Sequence, residues 1–403
     1  MYFKYGLNGM GKIKVAHVIT RFDKGGSAEN TFLTIRNLDK EKYDILLIKG
    51  ISQESHISRQ ETAAIETNLA EAEKNGVRIF TVPSLLRRVV PFRDIKAMFF
   101  LLGIFLKEKP DIVHTHTSKA GILGRWAAFF AKVPIIIHTP HGHIFWGYFN
   151  KWTTYAFMKL ERMTALITDR IITLTQQEKN DHVRFNIAQD EKFTVIHSGV
   201  DLTKFSKEVD ALKMKKILGI PETAFVVGTV GRLTAVKGYT YLLKAAANVV
   251  KDRPGTIFVF LGDGELLDQL TAMAYALGIK EHVKFLGWRS DVADIMATFD
   301  IFVLPSLNEG MGKVLVEAMA MAKPIIASNI GGIPNIVTHN DSAILVEPAN
   351  SDVLAQTINY LYNEDIIRKN MGERGKAIAH TFSAYDMIRK IDLLYTKELS
   401  SNE

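Results

Sequence analysis

The chain has 403 residues, 47% of them hydrophobic and 23% charged, which is enough apolar material for two domains with sizeable cores. It has no cysteine, so disulfides and thiolate metal sites are excluded. The net charge of +7 is not arranged as a basic stripe interleaved with aromatic residues, which argues against nucleic acid as a partner.

Short apolar segments alternate with helical segments along the first half of the chain. The predicted strands span residues 14–20, 43–48, 78–82, 111–114, 134–138, 170–174 and 193–196. Helices are predicted at 29–38, 94–107 and 119–130. Because parallel strands are joined by right-handed helical crossovers, this alternation predicts a parallel sheet.

The same alternation restarts after a polar linker that ends near Pro221. Strands are predicted at 225–230, 256–261, 283–286, 301–304, 324–327 and 343–346, and helices at 352–362, 364–374 and 384–398. We therefore expect an α/β protein with two doubly wound parallel-sheet domains, residues 1–205 and 206–380. The last segment, 381–403, is expected to be a helix that packs back on the first domain.

The most informative stretch follows the predicted strand 301–304 and reads S-L-N-E-G-M-G-K-V-L-V-E-A-M-A-M-A-K-P. It indicates a tight turn and then a helix whose N-terminus points out of the sheet, where free N–H groups favour a phosphate. A carboxylate would repel a phosphate, so Glu309 and Glu317 are expected to accept hydrogen bonds from sugar hydroxyls. The alternative is that both are solvated surface residues.

Two other loops follow the first strand of each half. The sequence D-K-G-G-S-A-E contains Gly25 and Gly26, which let a ligand approach the backbone closely, although a plain turn without a ligand is the alternative. The sequence G-R-L-T-A-V-K-G places Arg232 and Lys237 where they could clamp a diphosphate, unless both are simply solvated. The first loop lacks the dinucleotide fingerprint, and the second lacks the Walker sequence. No D-x-D occurs, so we expect cations and helix termini, and no metal ion, to hold a diphosphate.

Five histidines lie near the ends of two further strands, in H-T-H at 114–116 and H-T-P-H-G-H at 138–143. No Asp or Glu accompanies them, so a zinc site is disfavoured, and most are expected to be hydrogen-bonded core residues. His141 is better placed to hydrogen-bond a sugar hydroxyl or to move a proton. The aromatic stretch 144–157 could be an acceptor lip, a membrane contact or a buried helix.

A basic cluster precedes the apolar run 97–106 and consists of Arg87, Arg88, Arg93 and Lys96. This region could rest on an anionic membrane surface, or it could be an ordinary amphipathic helix with a solvated face. The run is too short to cross a bilayer, and no signal peptide is visible. The expected location is the cytoplasm, or the cytoplasmic face of the membrane.

Four motifs occur in order along the chain: H-S-G-V-D-L-T-K-F at 197–205, G-R-L-T-A-V-K-G at 231–238, E-G-M-G-K-V-L-V-E-A-M-A at 309–320 and G-G-I-P-N-I-V at 331–337. With them the chain resembles, over nearly its whole length, the retaining glycosyltransferases of family 4. That resemblance implies the GT-B fold, in which two Rossmann-like domains face each other with a cleft between them. It also implies that the first domain, 1–205, binds the acceptor and that the second, 206–380, binds the nucleotide-sugar donor. The histidine motifs resemble the branch that builds capsular, exopolysaccharide or O-antigen chains.

The resemblance also implies a role for most of the candidate residues. Glu309 would contact the donor sugar near the reaction centre, Glu317 the ribose hydroxyls, and His141 the donor sugar. Arg232 and Lys237 would hold the diphosphate. Donor binding would be completed by backbone and side chains of Gly25, Gly26, Arg289, Gly310, Met311, Gly312 and Lys313, with Trp288 and Arg289 beside the base. One departure is Asn308, where the family commonly has an aromatic or acidic residue before E-G, and this bears on donor choice.

The expected reaction is transfer of a sugar from a nucleotide diphosphate sugar, with UDP favoured by family habit and the anomeric configuration retained. The expected acceptor is a saccharide, in particular a lipid-linked glycan of cell-surface polysaccharide biosynthesis. No cofactor is expected beyond the nucleotide sugar itself. Two alternatives are a sugar-nucleotide epimerase of the same fold and a non-catalytic partner subunit that binds sugar nucleotide.

Overall fold

The computed structural model describes residues 11–22, 25–51, 59–142 and 150–401. The chain divides into two compact units, Met1–Gly199 with Ala384–Glu403 and Val200–Ser383. The first unit ends slightly before the limit of 205 expected from the sequence, and the second continues slightly beyond 380. Both boundaries differ from the predicted ones because the two segments that connect the units run side by side. A Cβ on Gly199 would lie 2.6 Å from Ala384 Cα.

The first unit is built on a sheet of seven parallel strands in the order β3-β2-β1-β4-β5-β6-β7. These are β1 (Ile13–Ile19), β2 (Tyr43–Lys49), β3 (Arg78–Thr81), β4 (Ile112–His116), β5 (Ile135–Thr139), β6 (Arg170–Thr173) and β7 (Phe193–Val195). The helices between them are α1 (Gly26–Asn37), α2 (Arg59–Lys74), α3 (Pro91–Glu108), α4 (Ser118–Phe130), α5 (Lys151–Leu166) and α6 (Gln176–Arg184). Strand order reverses at β1, so the loops after β1 and β4 diverge at the carboxyl edge, where open α/β sheets bind ligands.

Both faces of this sheet are covered, which is why its strands are nearly continuous apolar runs. Side chains alternate along β1, so Val15 and Ile19 enter one core, whereas Ala16 and Val18 enter the other. His17 also points to the first of these faces by that alternation, and it is completely buried. Strand β1 therefore places the imidazole of His17 in an otherwise apolar core.

The second unit is built on six parallel strands in the order β10-β9-β8-β11-β12-β13. These are β8 (Phe225–Val230), β9 (Thr256–Leu261), β10 (Val283–Phe285), β11 (Ile301–Leu304), β12 (Ile325–Ser328) and β13 (Ile344–Val346). Its helices are α7 (Ala211–Ile217), α8 (Tyr239–Asp252), α9 (Leu267–Ala276), α10 (Val292–Ala297), α11 (Lys313–Ala320), α12 (Ser351–Asn363) and α13 (Asp365–Ala379). Strand order reverses at β8, as it does at β1. The predicted α/β class with two doubly wound parallel-sheet units is confirmed.

The final helix, α14 (Ala384–Ser401), belongs to the first unit. Its buried side chains Met387, Ile391 and Leu394 join the core on the α1 side of the sheet. Asp392 accepts 2.6 Å hydrogen bonds from Lys42 Nζ and from the Tyr43 hydroxyl. The helix is thus an integral part of the first unit, although it is the last element in the chain.

All thirteen predicted strands are present, and those at 225–230, 256–261 and 301–304 have the predicted limits. β4 and β5 continue to His116 and Thr139, beyond their predicted ends, because these polar side chains are buried and hydrogen-bonded. The sequence pattern does not predict α2, since few of its side chains are apolar. α13 continues past the predicted end at 374 because its last residue, Ala379, is still buried.

The buried side of α14 is part of the core of the first unit. Ile391→Ala should destabilise the first unit by about 2–5 kcal/mol, because it leaves a cavity in that unit's core. Hydrogen exchange measured by mass spectrometry should show faster exchange in peptides from Met1–Gly199 and unchanged exchange in Val200–Ser383.

The matched control is Leu393→Ala, since this neighbouring side chain is 56% exposed on the same helix. It should leave exchange in both units unchanged. Equal effects of the two variants, or an equal loss of protection in both units after Ile391→Ala, would contradict the assignment of α14 to the first core.

Candidate active site

Close backbone contacts hold the loops after β8 and β11 together at the carboxyl edge of the second sheet. Gly238 has a φ of +66°, and a Cβ there would lie 2.0 Å from Pro305 O. Leu307 N–H donates a 2.7 Å hydrogen bond to Val236 O. Only glycine at 238 gives this approach without a steric clash, which explains the end of the G-R-L-T-A-V-K-G motif.

The loop after β12 closes around Glu309 from another side. Gly331 has a φ of +55°, and a Cβ there would lie 2.1 Å from Glu309 O. Gly332 N–H donates a 3.1 Å hydrogen bond to the same oxygen. The Glu309 side chain accepts a 2.6 Å bond from Lys237 Nζ and a 3.1 Å bond from Ser306 Oγ, both at Oε2. Three loops therefore fix the position of one carboxylate.

The structure thus brings together the acid expected at the donor sugar and one of the cations expected at the diphosphate. The side chains of Lys237 and Glu309 are only 20% and 14% exposed, so the ion pair is weakly screened by solvent. An ammonium group has three N–H donors, and Glu309 occupies one of them. Lys237 therefore keeps the capacity to donate to an oxyanion while Glu309 holds it in place.

Helix α11 begins beside this ion pair. The turn 310–312 leads into Lys313, the first residue of the helix, and Gly312 has no side chain with which to cap it. A helix N-terminus carries the positive end of the helix dipole, which favours an anion. Glu317 lies in the second turn of α11 and is partly exposed, and Arg232 is exposed in the loop after β8. Both lie on elements that flank the pair.

Arg289 lies in the loop after β10 and is paired with Asp291. Its Nε and Nη2 donate hydrogen bonds of 2.8 and 2.5 Å to the two carboxylate oxygens. These bonds hold the pKa of Asp291 below its ordinary value, so the pair stays ionised at neutral pH. The expected place of Arg289 beside the base stays a prediction, and the structure adds a carboxylate that fixes the guanidinium.

Two side chains of this site are missing from the sequence candidates, Ser306 and Tyr239. Tyr239 begins α8 and is buried, and its hydroxyl would lie 2.7 Å from a Cβ on Gly231. Burial, and to a smaller degree the charge of Glu309, raise the pKa of this phenol above its ordinary value. Both residues adjoin recognised motifs, but only the folded loops show that their hydroxyls are near the ion pair.

The glycine loop of the first unit lies at the corresponding strand end. Helix α1 begins at Gly26, earlier than the predicted start at 29, and Gly25 precedes it in an extended conformation. A side chain at Gly25 would meet no atom of the described residues within 4 Å of its Cβ. Asp23 and Lys24 of the same motif lie outside the described residues. The roles of both glycines in donor binding stay predictions.

His141 is the end of a chain of hydrogen-bonded histidines in the first unit. It lies in the turn after β5 with a φ of +59°, and its Nε2 is 3.0 Å from His116 Nδ1. His116 Nε2 is in turn 3.0 Å from His17 Nδ1. His116 and His17 are completely buried, whereas His141 is partly exposed. His143 and the aromatic stretch 144–149 lie outside the described residues.

The other strand-end histidines are also hydrogen-bonded in the core. His114 pairs with the Tyr395 hydroxyl at 2.6 Å and with Thr139 Oγ1 at 2.8 Å. His138 Nδ1 is 2.9 Å from Thr115 Oγ1. Burial lowers the pKa of both rings well below the ordinary value, so both are neutral at physiological pH.

Ring nitrogens of His17, His114 and His116 lie within 4.8 Å of one another, a spacing compatible with a metal ion. Of their six nitrogens, both on His114, both on His116 and Nδ1 of His17 already take part in hydrogen bonds. A metal ion would have to replace several of these bonds. The three rings therefore fit a hydrogen-bonded cluster better than a metal site.

Glu178 holds the turn that carries His141, and it is absent from the sequence candidates. Its Oε1 accepts a 2.8 Å bond from Gly142 N–H and its Oε2 a 2.6 Å bond from Leu174 N–H. Burial raises the pKa of Glu178 to about 7, although the two backbone bonds oppose that shift. The sequence signal is the T-x-x-E at the start of α6, where Thr175 caps the helix and a capping-box glutamate is expected.

Residues 210–378 match the family described as "Glycosyl transferases group 1", and residues 24–204 match "Glycosyltransferase Family 4". The chain is 33% identical over 388 residues to the UDP-Gal:alpha-D-GlcNAc-diphosphoundecaprenol alpha-1,3-galactosyltransferase of Escherichia coli, covering 95% of this chain and 97% of that one. It is 25% identical over 367 residues to the capsular polysaccharide biosynthesis glycosyltransferase CapM of Staphylococcus aureus, covering 89% and 96%.

Among solved structures, Anabaena Alr3699/HepE in complex with UDP and glucose superposes with a TM-score of 0.80 at 22% identity, covering 96% of this chain and 100% of that one. WaaG, a glycosyltransferase involved in lipopolysaccharide biosynthesis, superposes with a TM-score of 0.72 at 16% identity, covering 94% and 98%. Two Rossmann-like units with these structural neighbours define the GT-B fold. The chain belongs to glycosyltransferase family 4, and the resemblance inferred from the motifs is confirmed.

The buried histidines predict a loss of stability in mild acid. Burial lowers the pKa of His17 to about 3 and that of His114, His116 and His138 well below the ordinary value. The folded state therefore binds fewer protons than the unfolded state below about pH 6.5, and stability is lost as the pH falls through that value. Each buried histidine should lower the free energy of unfolding by about 1.4 kcal/mol as the pH falls from 7.5 to 5.5. Glu178, whose pKa is raised, should offset part of this loss.

Urea unfolding of the first unit, monitored by hydrogen exchange at several pH values, would measure how its free energy of unfolding depends on pH. His138→Gln should reduce the change between pH 7.5 and 5.5 by about 1.4 kcal/mol. The control His380→Gln, at an exposed histidine, should leave the slope unchanged. A pH dependence that is the same in both variants would contradict the neutral state of the buried rings.

Proposed function

We propose that this glycosyltransferase moves a sugar from a UDP-sugar to a lipid-linked saccharide, with retention of the anomeric configuration and without a metal ion. The observation that carries the proposal is the Lys237–Glu309 ion pair, which three loops fix beside the N-terminus of α11. The E. coli relative supports the substrate class, because its name specifies UDP-Gal and a diphosphoundecaprenol-linked GlcNAc. The proposed pathway is cell-surface polysaccharide biosynthesis, as for the CapM relative.

In this proposal positive charge stabilises the diphosphate at the moment it leaves. Lys237 has two N–H donors beyond the one used by Glu309, and Arg232 is exposed in the same loop. The dipole of α11 adds positive potential. Together these groups would supply the charge that a divalent cation provides in metal-dependent transferases.

Glu309 is better suited to orient the sugar than to attack it. Its Oε2 is occupied by an ammonium and a hydroxyl donor, which lowers its nucleophilicity. We infer that the acceptor oxygen bonds to the anomeric carbon on the face from which the phosphate leaves. The bond between that carbon and the phosphate oxygen breaks, and the acceptor proton passes to the departing phosphate. Glu309 and the cations provide orientation and charge stabilisation.

The test separates chemistry from donor binding. Glu309→Gln should lower transfer by about 100-fold or more, while UDP affinity measured by ligand-detected NMR changes little. Lys237→Ala should weaken UDP binding by about tenfold or more, because it removes a charge-assisted contact. Both measurements are made in the presence of a chelator, against a panel of UDP-, GDP-, ADP- and dTDP-sugars.

Matched controls are Glu281→Gln and Lys244→Ala, which change exposed residues of the same types in the second unit. Unchanged turnover of Glu309→Gln would show that this carboxylate has no role in the reaction. Loss of activity on adding a chelator would overturn metal independence. An NMR spectrum of the product that shows the inverted anomer would overturn retention. Conversion of a sugar nucleotide without any acceptor would favour the epimerase, and binding without any turnover the non-catalytic subunit.

We further propose that α3 contacts an anionic membrane, where a lipid-linked acceptor would lie. One stripe of α3, formed by Ala97, Leu101 and Phe105, is buried. The opposite side is also apolar: Phe92 is 88% exposed and Phe99 is 61% exposed. An ordinary surface helix has a polar outer face, so this exposed apolar side favours an interface. The cations that accompany it are Arg87, Arg88, Arg93 and Lys96, all exposed.

No helix in the described part of the chain has the length and apolarity needed to cross a membrane, so the proposed contact is peripheral. The protein should co-sediment with vesicles containing phosphatidylglycerol at physiological salt. Phe92→Ser combined with Phe99→Ser should reduce the bound fraction severalfold, since both rings would leave the lipid interface.

The matched control combines Ile366→Ser with Tyr385→Ser, two side chains that are similarly exposed elsewhere. It should bind vesicles as the unmodified protein does. Binding that is absent at physiological salt, or equal in both double variants, would show that α3 does not dock on lipid.

A further inference from the structure

Helix α5 shows the reverse of the pattern that is usual for a surface helix. Its buried side chains are Thr154, Thr164 and Ala165, which are small, and two of them carry hydroxyl groups. Its outward side chains are larger and mostly apolar, and Trp152 and Leu166 are 73% and 80% exposed. A surface helix normally buries its large apolar residues and exposes its polar ones. The outer side of α5 is therefore an exposed apolar surface.

The exposed apolar residues of α5 form one stripe along the helix. They are Trp152, Tyr155, Leu160, Met163 and Leu166. Because an α-helix turns by about 100° per residue, these positions share a sector of roughly 140°. Aromatic rings at one end of the stripe and aliphatic side chains along the rest are typical of a helix that lies at a membrane interface.

Polar contacts attach α5 to α4 and fix which side of α5 points outward. The carboxylate of Glu161 accepts hydrogen bonds of 2.7 and 2.9 Å from Arg125 Nη2. Trp126 Nε1 donates a 3.1 Å hydrogen bond to Thr164 Oγ1. A rotation of α5 that buried its apolar stripe would break these directional bonds and leave the completely buried Arg125 without its carboxylate. The apolar side is therefore held outward.

The apolar surface continues from α5 onto α4. Both helices follow parallel strands of one sheet and run in the same direction. Because Trp126 bonds to Thr164, Phe129 and Phe130 lie about one turn further along α4, level with Leu166. Both rings are about half exposed. Since α4 also shares a core with α3, the three helices form one layer with an apolar outer side.

The exposed charges of this layer are positive. The three helices contain three acidic residues, and each is paired with a cation of the protein: Asp94 with Lys119, Glu108 with Arg78 and Glu161 with Arg125. Lys151 and Lys159 of α5 are exposed. In a symmetric dimer the same patch meets itself, so these cations would repel one another. An anionic lipid surface complements both the charge and the apolar stripe.

We propose that α5 and the end of α4 insert their apolar side chains into the interface of a lipid bilayer, as a second contact beside that of α3. This inference rests on the lipid-linked acceptor of the proposed function. The α3 contact depends on a cluster of four cations, whereas apolar side chains predominate on the outer side of α5. The α5 contact should therefore persist at about 1 M salt, where exposed charges are screened beyond roughly 3 Å.

A spin label on α5 tests this contact directly. The chain has no cysteine, so Met163→Cys places a single label on the stripe. Tyr360→Cys is the matched control, because Tyr360 of α12 is 47% exposed and Met163 is 49% exposed. With phosphatidylglycerol vesicles at about 1 M salt, the label at 163 should become about fivefold less accessible to a water-soluble nickel reagent and more accessible to oxygen. The label at 360 should not change.

A label at 163 that stays accessible to the nickel reagent on vesicle-bound protein would overturn the proposal, and so would the absence of vesicle binding. Protection that needs no lipid and increases with protein concentration would identify a second copy of the chain as the occupant, and would also overturn it.

The same label separates the α5 contact from the α3 contact. In the variant that combines Phe92→Ser with Phe99→Ser, the label at 163 should still be protected once enough lipid is present to bind the protein. Failure of this variant to bind at any lipid concentration would show that α5 makes no contact of its own.

The inference and the proposed function fail separately. If the protein transfers sugar to a short water-soluble saccharide while the label at 163 stays exposed to water on vesicles, sugar transfer stands and the α5 inference is wrong. If the label inserts into lipid but no nucleotide sugar supports transfer, the proposed function is wrong and the lipid contact stands.

Discussion

The reversal of strand order at β1 and at β8 is the constraint on which the candidate site depends. Because neighbouring crossovers leave in opposite directions there, the loops that follow cannot cover the carboxyl edge, and backbone groups are left facing a gap. In the second unit that gap is narrowed by glycines at 238 and 331, which admit carbonyl oxygens where any Cβ would clash. The Lys237–Glu309 pair owes its position to those backbone contacts.

Polar groups buried at a sheet edge lose contact with water, and the two units compensate for this desolvation in different ways. In the second unit, an ammonium and a carboxylate compensate each other's charge and are mostly buried. In the first unit, the polar groups are neutral imidazoles that satisfy one another by hydrogen bonds through an apolar core. The first arrangement suits a charged ligand such as a diphosphate, and the second suits neutral hydroxyl groups.

The sequence predicts the strands well because parallel strands covered on both faces are apolar runs with sharp ends. It is less accurate where polar side chains are buried. β4 extends to His116 and β5 to Thr139 because hydrogen bonds across strands bury these residues, and no local pattern indicates them. Ser306 is missing from the predicted site because its bond to Glu309 depends on the loop conformation. Glu178 is missing because T-x-x-E indicates a helix cap and gives no sign of the bond to the distant Gly142 N–H.

The sequence by itself determined the α/β class, the order of the elements, and the family, because these follow from local periodicity and short motifs that need no tertiary context. Only the tertiary structure decided which candidates touch. The contact between Lys237 and Glu309 joins residues 72 positions apart, and that between His17 and His116 joins residues 99 positions apart. Such contacts depend on the strand order and on the packing of helices such as α14. Both are cooperative properties of the whole unit, and no single segment of the sequence determines them.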